Sequence, residues 1–230
     1  MKIVIYTCIL NNYDTPLNVS DFQYPNVDFV CFTDNLNQQQ TGWKYRQVST
    51  FIEEGKYKYP KTSRFIKLKP HIFFNDYDIN VYIDGNKEII DFDKLIHLCQ
   101  ILHNSDANII LSHHWGRINV VDEANECIRL KRDDSRVLKT QVESYIKEGF
   151  KDDIGLYMGS IQIRKFNEDM KHFMNAWWKE VADGSYRDQI SLPYVIWKTN
   201  MYPKMIRLYP KYIHQVIRHL GHNKQFNGGA

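Results

Sequence analysis

Apolar positions along the chain fall into two alternating patterns. Short, nearly unbroken runs predict buried strands: Ile3-Val4-Ile5-Tyr6-Thr7-Cys8, Val27-Asp28-Phe29-Val30-Cys31-Phe32, Val81-Tyr82-Ile83, Asn108-Ile109-Ile110-Leu111 and Ser160-Ile161-Gln162-Ile163. Between them, apolar residues recur at helical spacing. After Asp91, a predicted N-cap, the residues Phe92, Leu95, Ile96, Cys99 and Leu102 share one face. After Asn167, Met170, Phe173, Met174, Trp177 and Val181 do the same. Strands that alternate with helices predict an α/β fold, with a mostly parallel central sheet flanked by helices on both faces. Ligands of such sheets gather beyond the carboxyl ends of the strands. That rule ranks the candidate residues below.

The 230 residues contain no repeat, linker or low-complexity tract, which predicts a single domain over 1–230. A hydrophobic share of 43% with 25% charged residues excludes a disordered chain, and a net charge of +3 gives no basis for nucleic-acid binding. No run of about 18 apolar residues predicts a membrane helix. Met1-Lys2 and the apolar run that follows imitate a short leader. Asn11-Asn12-Tyr13-Asp14 comes next without a small-residue cleavage pattern, so the run reads as a first strand and the expected compartment is the cytoplasm. Cys8, Cys31, Cys99 and Cys127 are widely spread in apolar surroundings and read as reduced core thiols.

Chemistry concentrates at strand ends. Asp84-Gly85-Asn86 follows the Val81 run at once. Two oxygen-bearing side chains one residue apart can face one hard cation where the chain turns, and Gly85 is expected to permit the turn. Mn2+ or Mg2+ held this way keeps positions open for diphosphate oxygens; a plain polar turn is the alternative. The same spacing at Asp76-Tyr77-Asp78 and Asp106-Ala107-Asn108 precedes strands, and at Asp91-Phe92-Asp93 it starts a helix. Arg64 and Lys67, three apart on a helical stretch, face either a diphosphate or solvent. Asp188 opens a helix containing Pro193 and is the first choice for a general base or a sugar-orienting acid, with Gln189 as a sugar contact. Stabilisation of the helix N-terminus explains Asp188 equally. Glu123 is the second base candidate. His114, Trp115 and Arg117 follow another strand end and are assigned to the acceptor cleft; His113 and His114 point to opposite sides of an extended chain, and Trp115 is either a stacking platform or a core residue. No G-x-G-x-x-G, P-loop or nucleophile elbow occurs.

Several segments recur together in one order. They are Ile5-Tyr6-Thr7-Cys8-Ile9 with Asn12-Tyr13-Asp14, Phe32-Thr33-Asp34-Asn35, Ser63-Arg64-Phe65-Ile66-Lys67-Leu68-Lys69-Pro70-His71, Tyr82-Ile83-Asp84-Gly85-Asn86, Cys127, Glu148-Gly149-Phe150, Gly155-Leu156-Tyr157 and Arg187-Asp188-Gln189-Ile190-Ser191-Leu192-Pro193-Tyr194. As a set this resembles the GT-A-type glycosyltransferases once catalogued as a domain of unknown function, which include plant mucilage-related and microbial or viral polysaccharide enzymes. The resemblance implies a GT-A sheet, a nucleotide-sugar donor (a UDP-sugar), Mn2+ or Mg2+ at Asp84 and Asn86, and transfer of a hexosyl or deoxyhexosyl group to a glycan hydroxyl. It implies a nucleotide-binding half over 1–110 and an acceptor-binding half over 111–230, with Tyr6, Thr7 and Asp34 framing base and ribose. Related enzymes take a third metal ligand from a C-terminal histidine near a Gly-x-x-Lys segment whose lysine contacts phosphate. Arg218-His219-Leu220-Gly221-His222-Asn223-Lys224 is similar, although its histidine register differs by one residue; His219 is favoured over His222, and Lys224 is the expected phosphate contact. The expected partners are the donor, a glycan acceptor and other glycan-synthesis modules fused to or associated with the chain. Asn86 in place of a second aspartate keeps a rival open: a nucleotide-sugar or carbohydrate-binding domain of the same fold without turnover.

Overall fold

The computed structural model describes residues 1–22, 24–37, 40–50 and 55–222. Its strands are β1 (Ile3–Ile9), β2 (Val27–Thr33), β3 (Lys44–Gln47), β4 (Ile79–Ile83), β5 (Lys87–Ile89), β6 (Ile109–Ser112), β7 (Ile161–Lys165), β8 (Met205–Leu208) and β9 (Ile217–His219). Its helices are α1 (Lys58–Leu68), α2 (Phe92–His103), α3 (Val120–Arg129), α4 (Ser135–Lys147), α5 (Glu168–Asp183), α6 (Asp188–Lys198) and α7 (Pro210–Ile213). All five predicted strands form, as β1, β2, β4, β6 and β7. The predicted cap Asp91 accepts from the Lys94 amide, and Asn167 caps its helix in the same way by accepting from the Met170 amide, each at 2.9 Å. No helix among the described residues is long and apolar enough to cross a membrane.

Seven strands make one sheet in the order β3-β2-β1-β4-β7-β6-β8. Every pairing is parallel except those of β7, which runs against both β4 and β6. The mostly parallel sheet of the sequence reading is therefore present. β1 and β4 are buried along their whole lengths, as expected of central strands covered on both faces. Alternate residues sort to opposite sides. Ile3, Ile5, Val81 and Ile83 pack with Leu95, Ile96 and Cys99 of α2, while Val4, Tyr6, Cys8 and Tyr82 pack with Ile66 of α1. All four cysteines are buried and free.

This topology gathers the chemistry along one edge. β1, β2, β4, β6 and β8 end there, and β7, being reversed, begins there, with Ile161 opposite Ile83. A second, two-stranded sheet pairs β5 with β9, setting Lys87 opposite His219 and Ile89 opposite Ile217. It delivers the residues around 220 to the turn that follows β4.

Candidate functional site

The turn after β4 is fixed by backbone bonds. The Asp84 amide donates to Ser160 O at 2.9 Å, and the Lys87 amide donates to Asp84 O at 3.0 Å. Gly85 is required by proximity rather than by a left-handed backbone: a Cβ there would sit 2.7 Å from the Ile9 side chain. Asp84 lines a cleft of about 360 Å³ with Thr7, Trp43, Lys87 and Glu88. Asn86 lines a neighbouring cleft of about 330 Å³ with Asp14, Gln40, Leu220 and Gly221, and the two clefts share Gly85, Pro16, Leu17 and Asn18.

On one side of Asp84 lies a buried ionic group. Arg64 and Lys67 project from α1 toward Asp188, the first residue of α6. Arg64 Nε is 3.1 Å from one carboxylate oxygen and Lys67 Nζ is 2.5 Å from the other. Burial disfavours the Asp188 charge, but Lys67 and Arg64 outweigh it and hold the carboxyl well below the usual carboxylate range. Burial lowers the Lys67 pKa against the opposing pull of Asp188 and Asp84. For Arg64 those carboxylates, with Tyr82, overcome the desolvation and raise it. Gly159 completes the fit, since a Cβ there would meet Asp188 Oδ2 and Lys67 Nζ at 3.2 Å each. A carboxylate paired with two cations is a poor proton acceptor, which argues against the general-base expectation for Asp188.

The support for this group was not visible in the sequence. Arg164 of β7 is fully buried; it donates from Nε to Asn80 Oδ1 at 2.8 Å, from Nη1 to Lys67 O at 3.1 Å and from Nη2 to the Tyr6 hydroxyl at 2.5 Å. Tyr6 in turn donates to Lys67 O at 2.7 Å. The expectation that Tyr6 frames a nucleotide is corrected by this packing. Its side chain points into the core beneath α1, among Phe32, Phe74 and Tyr82. The neighbouring Thr7 does face the Asp84 cleft, and its buried hydroxyl finds no partner among the described residues. Asp34 accepts the Asn11 amide at 2.9 and 3.0 Å, which pins the loop after β1, where Asn11 and Asn12 hold positive φ. Asp34 thus caps that turn.

On the other side of Asp84 the groups are more open. Asn86, 5% exposed, donates from Nδ2 to Leu220 O at 3.0 Å and has His222 Nε2 at 3.2 Å and His219 Nδ1 at 3.3 Å. Lys87 Nζ lies 2.5 Å from His219 Nδ1. Burial lowers the Lys87 pKa, with Asp84 opposing, and burial also lowers that of His219, reinforced by Lys87 and His222. Among the described residues no three His, Cys, Asp or Glu side chains form a ready metal cage. The donors that fit a hard cation are the Asp84 carboxylate, the Asn86 amide and an imidazole, completed by a nucleotide's own oxygens, which is the sparse protein ligation usual for nucleotide-bound Mg2+. Lys224 lies outside the described residues.

The acceptor candidates sit beyond β6. His114 Nδ1 accepts from the Gly116 and Arg117 amides at 3.0 and 2.9 Å, so the imidazole shapes its own loop. Burial, aided by Arg117, lowers its pKa. Trp115 is 72% exposed, which decides against a core role and leaves it free to stack. Glu123 is fully buried on α3, with Arg117 Nε at 2.5 Å, Arg187 at 3.9 Å and the Cys127 thiol donating to it at 3.4 Å. Enclosed in this way it ties the Trp115 loop to the start of α6, and the expectation of a second base is corrected: no face of it meets solvent. Gln189 Nε2 and Arg187 Nε are buried next to Asp188 without partners among the described residues.

Residues 1–222 match the family described as TOD1/MUCI70, glycosyltransferase-like domain. Among solved structures, the galactosyltransferase LgtC, in complex with donor and acceptor sugar analogs, is 12% identical with a TM-score of 0.51, covering 95% of this chain and 86% of its own. Mouse xyloside xylosyltransferase 1 in its apo form is 8% identical with a TM-score of 0.49, covering 90% of this chain and 84% of its own. The likeness to LgtC bears on the fold, which is GT-A. No curated protein matches the sequence.

Proposed function

Because the chain belongs to the TOD1/MUCI70 glycosyltransferase-like family, we propose that it moves a sugar from a UDP-sugar to a glycan hydroxyl, with Mn2+ or Mg2+ at Asp84 and Asn86. The observation that carries this reading is the position of Asp84. It opens on a cleft at the carboxyl edge of the sheet, and its charge is felt by the buried cations Arg64 and Lys67.

A bound Mn2+ or Mg2+ would supply the positive charge that draws electrons onto the departing diphosphate. The chain's own cations add to it. Arg64 and Lys67 are held in place before any ligand arrives, so their stabilisation of developing negative charge needs no rearrangement. Asp188 keeps both in place within reach of the Asp84 charge and, with the Gln189 nitrogen that has no partner among the described residues, offers hydrogen bonds to sugar hydroxyls. The Thr7 hydroxyl adds a polar contact in the Asp84 cleft. Trp115 presents an exposed ring to the acceptor, steadied by Arg117 and Glu123. Lys224 completes the phosphate contacts in this reading.

Calorimetry of UDP, GDP and CDP, each with and without Mn2+, tests the proposal. UDP is expected to bind more tightly with the metal, and Asp84→Ala is expected to abolish that difference while the thermal melt is preserved. Equal affinity for every nucleotide in the presence and absence of metal overturns it.

A further inference from the structure

The loop after β6 holds a conflict of protons that the fold itself does not resolve. His114 Nδ1 accepts from the Gly116 amide at 3.0 Å and the Arg117 amide at 2.9 Å, so that nitrogen carries no hydrogen. Burial and the Arg117 charge keep the imidazole neutral, and a neutral ring with a bare Nδ1 has its proton on Nε2. Nε2 lies 3.0 Å from Arg117 Nη2, and a guanidinium nitrogen only donates. Two donors therefore face one spot, and no oxygen among the described contacts serves them there.

The balance of charge points the same way. Glu123 is fully buried, with Arg117 Nε 2.5 Å from one oxygen and Arg187 Nη2 3.9 Å from the other. Two guanidinium groups against one carboxylate leave a positive charge in excess. The other acids within their reach are already engaged: Glu126 binds Arg129 with both oxygens, and Asp188 faces Arg64 and Lys67. Paired donors beside excess positive charge make a place for an anionic oxygen. Next to it the His114 and Trp115 rings stack with centroids 5.8 Å apart, and the exposed Trp115 leaves a flat face open to a sugar.

The form of the anion follows from what Arg117 has left. Its Nε is spent on Glu123, and the edge shared by Nε and Nη2 is where a planar carboxylate takes two parallel bonds. What remains are single donors from two separate side chains, which suit an oxyanion with oxygens in several directions. We infer that the loop 114–117 binds a sulfate or phosphate ester carried by the acceptor, whose sugar ring lies on Trp115. The inference rests on the proposed function, which sets Trp115 toward the acceptor, and adds that this acceptor is an esterified, charged glycan.

The test titrates the whole chain with glucose 6-sulfate, glucose 6-phosphate, glucuronate and glucose, with UDP and Mn2+ present to fill the Asp84 cleft. Binding is read by tryptophan fluorescence, and Trp115→Phe is expected to remove the response. At least one ester is expected to bind about tenfold or more tightly than glucose, and more tightly than glucuronate; the tighter of the two names the substituent. His114→Asn keeps an oxygen in place of Nδ1 for the two loop amides and deletes the Nε2 donor. Arg117→Lys keeps a cation for Glu123 and deletes Nη2. Each is expected to weaken ester binding about tenfold while the thermal melt is preserved. Ester affinity unchanged in either variant, or glucuronate or glucose bound as tightly as both esters, overturns the inference. So does inorganic sulfate or phosphate bound as tightly as its sugar ester. Metal-dependent UDP binding without ester binding overturns the inference and spares the proposed function; ester binding without metal-dependent UDP binding does the reverse.

Discussion

The two flanks of Asp84 are built on opposite terms. On the α1 and α6 flank, Arg64 and Lys67 share the Asp188 carboxylate inside the protein, with Arg164 and Tyr6 bracing Lys67 from below. On the C-terminal flank, Asn86, Lys87, His219 and His222 meet closer to solvent through an amide, an ammonium and two imidazoles. The first flank is finished at folding. The second gathers Leu220 O and two imidazoles around the Asn86 nitrogen. The difference separates groups whose loss would cost stability from groups whose loss would be felt mainly in binding.

Substitutions sharpen that division, beginning with the largest expected effect. Asp188→Ala strands two buried cations, and such a loss costs about 3–5 kcal/mol, measurable as a lower denaturation midpoint. The same carboxylate sets an acid-side slope. Its native pKa is depressed, so its contribution is whole above the ordinary carboxylate value of about 3.9 and fades as pH falls toward the native value. Urea unfolding between pH 3 and pH 6 should show that slope, and Asp188→Asn should flatten it. Arg164→Met leaves Asn80 Oδ1 and the Tyr6 hydroxyl oxygen without this donor and Lys67 O with Tyr6 alone, for about 3 kcal/mol. The same variant should lower nucleotide affinity, since Lys67 loses its brace. Gly159→Ala forces a methyl against Asp188 and Lys67, with an expected cost of about 1–2 kcal/mol and a drop in UDP binding that calorimetry would read. Trp115→Ala should leave stability within about 0.5 kcal/mol while raising the KM for the acceptor. If it instead lowers the melting midpoint like Asp188→Ala, the division between shaping and binding residues fails.

How far the sequence spoke depended on whether a residue's task leaves a local trace. Buried strands such as β1 and β4 announce themselves by apolar content, and Asp91 and Asn167 by their place before an apolar stripe. Direction leaves no such trace: β7 is as apolar running backward as it would be running forward. β3 reads as loop because Lys44, Arg46 and Gln47 suit an exposed edge strand. At the site, Asp84 was legible because a strand end and a turn coincide in sequence. Arg164 was not, because a basic residue in a short strand reads as surface until its three acceptors are known. The contacts that His222 makes with Asp14 and His219 with Lys87 span over two hundred and over one hundred and thirty positions respectively, beyond the reach of any local pattern. Gly85 gave the right residue for a different reason, crowding by Ile9 in place of turn freedom.

The little ribbon formed by β5 and β9 gives the molecule an unexpected dependence. Three residues near the end of the described chain lie against the three that follow the Asp84 turn, and the Leu220 amide donates to Asn86 O. Clipping the protein just ahead of Ile217 would spare the large sheet, yet uncover Ile89 and unfasten the loop bearing Asn86. The seam thus acts as a buckle: a stretch beyond residue 216 fastens a turn laid down within the first hundred residues.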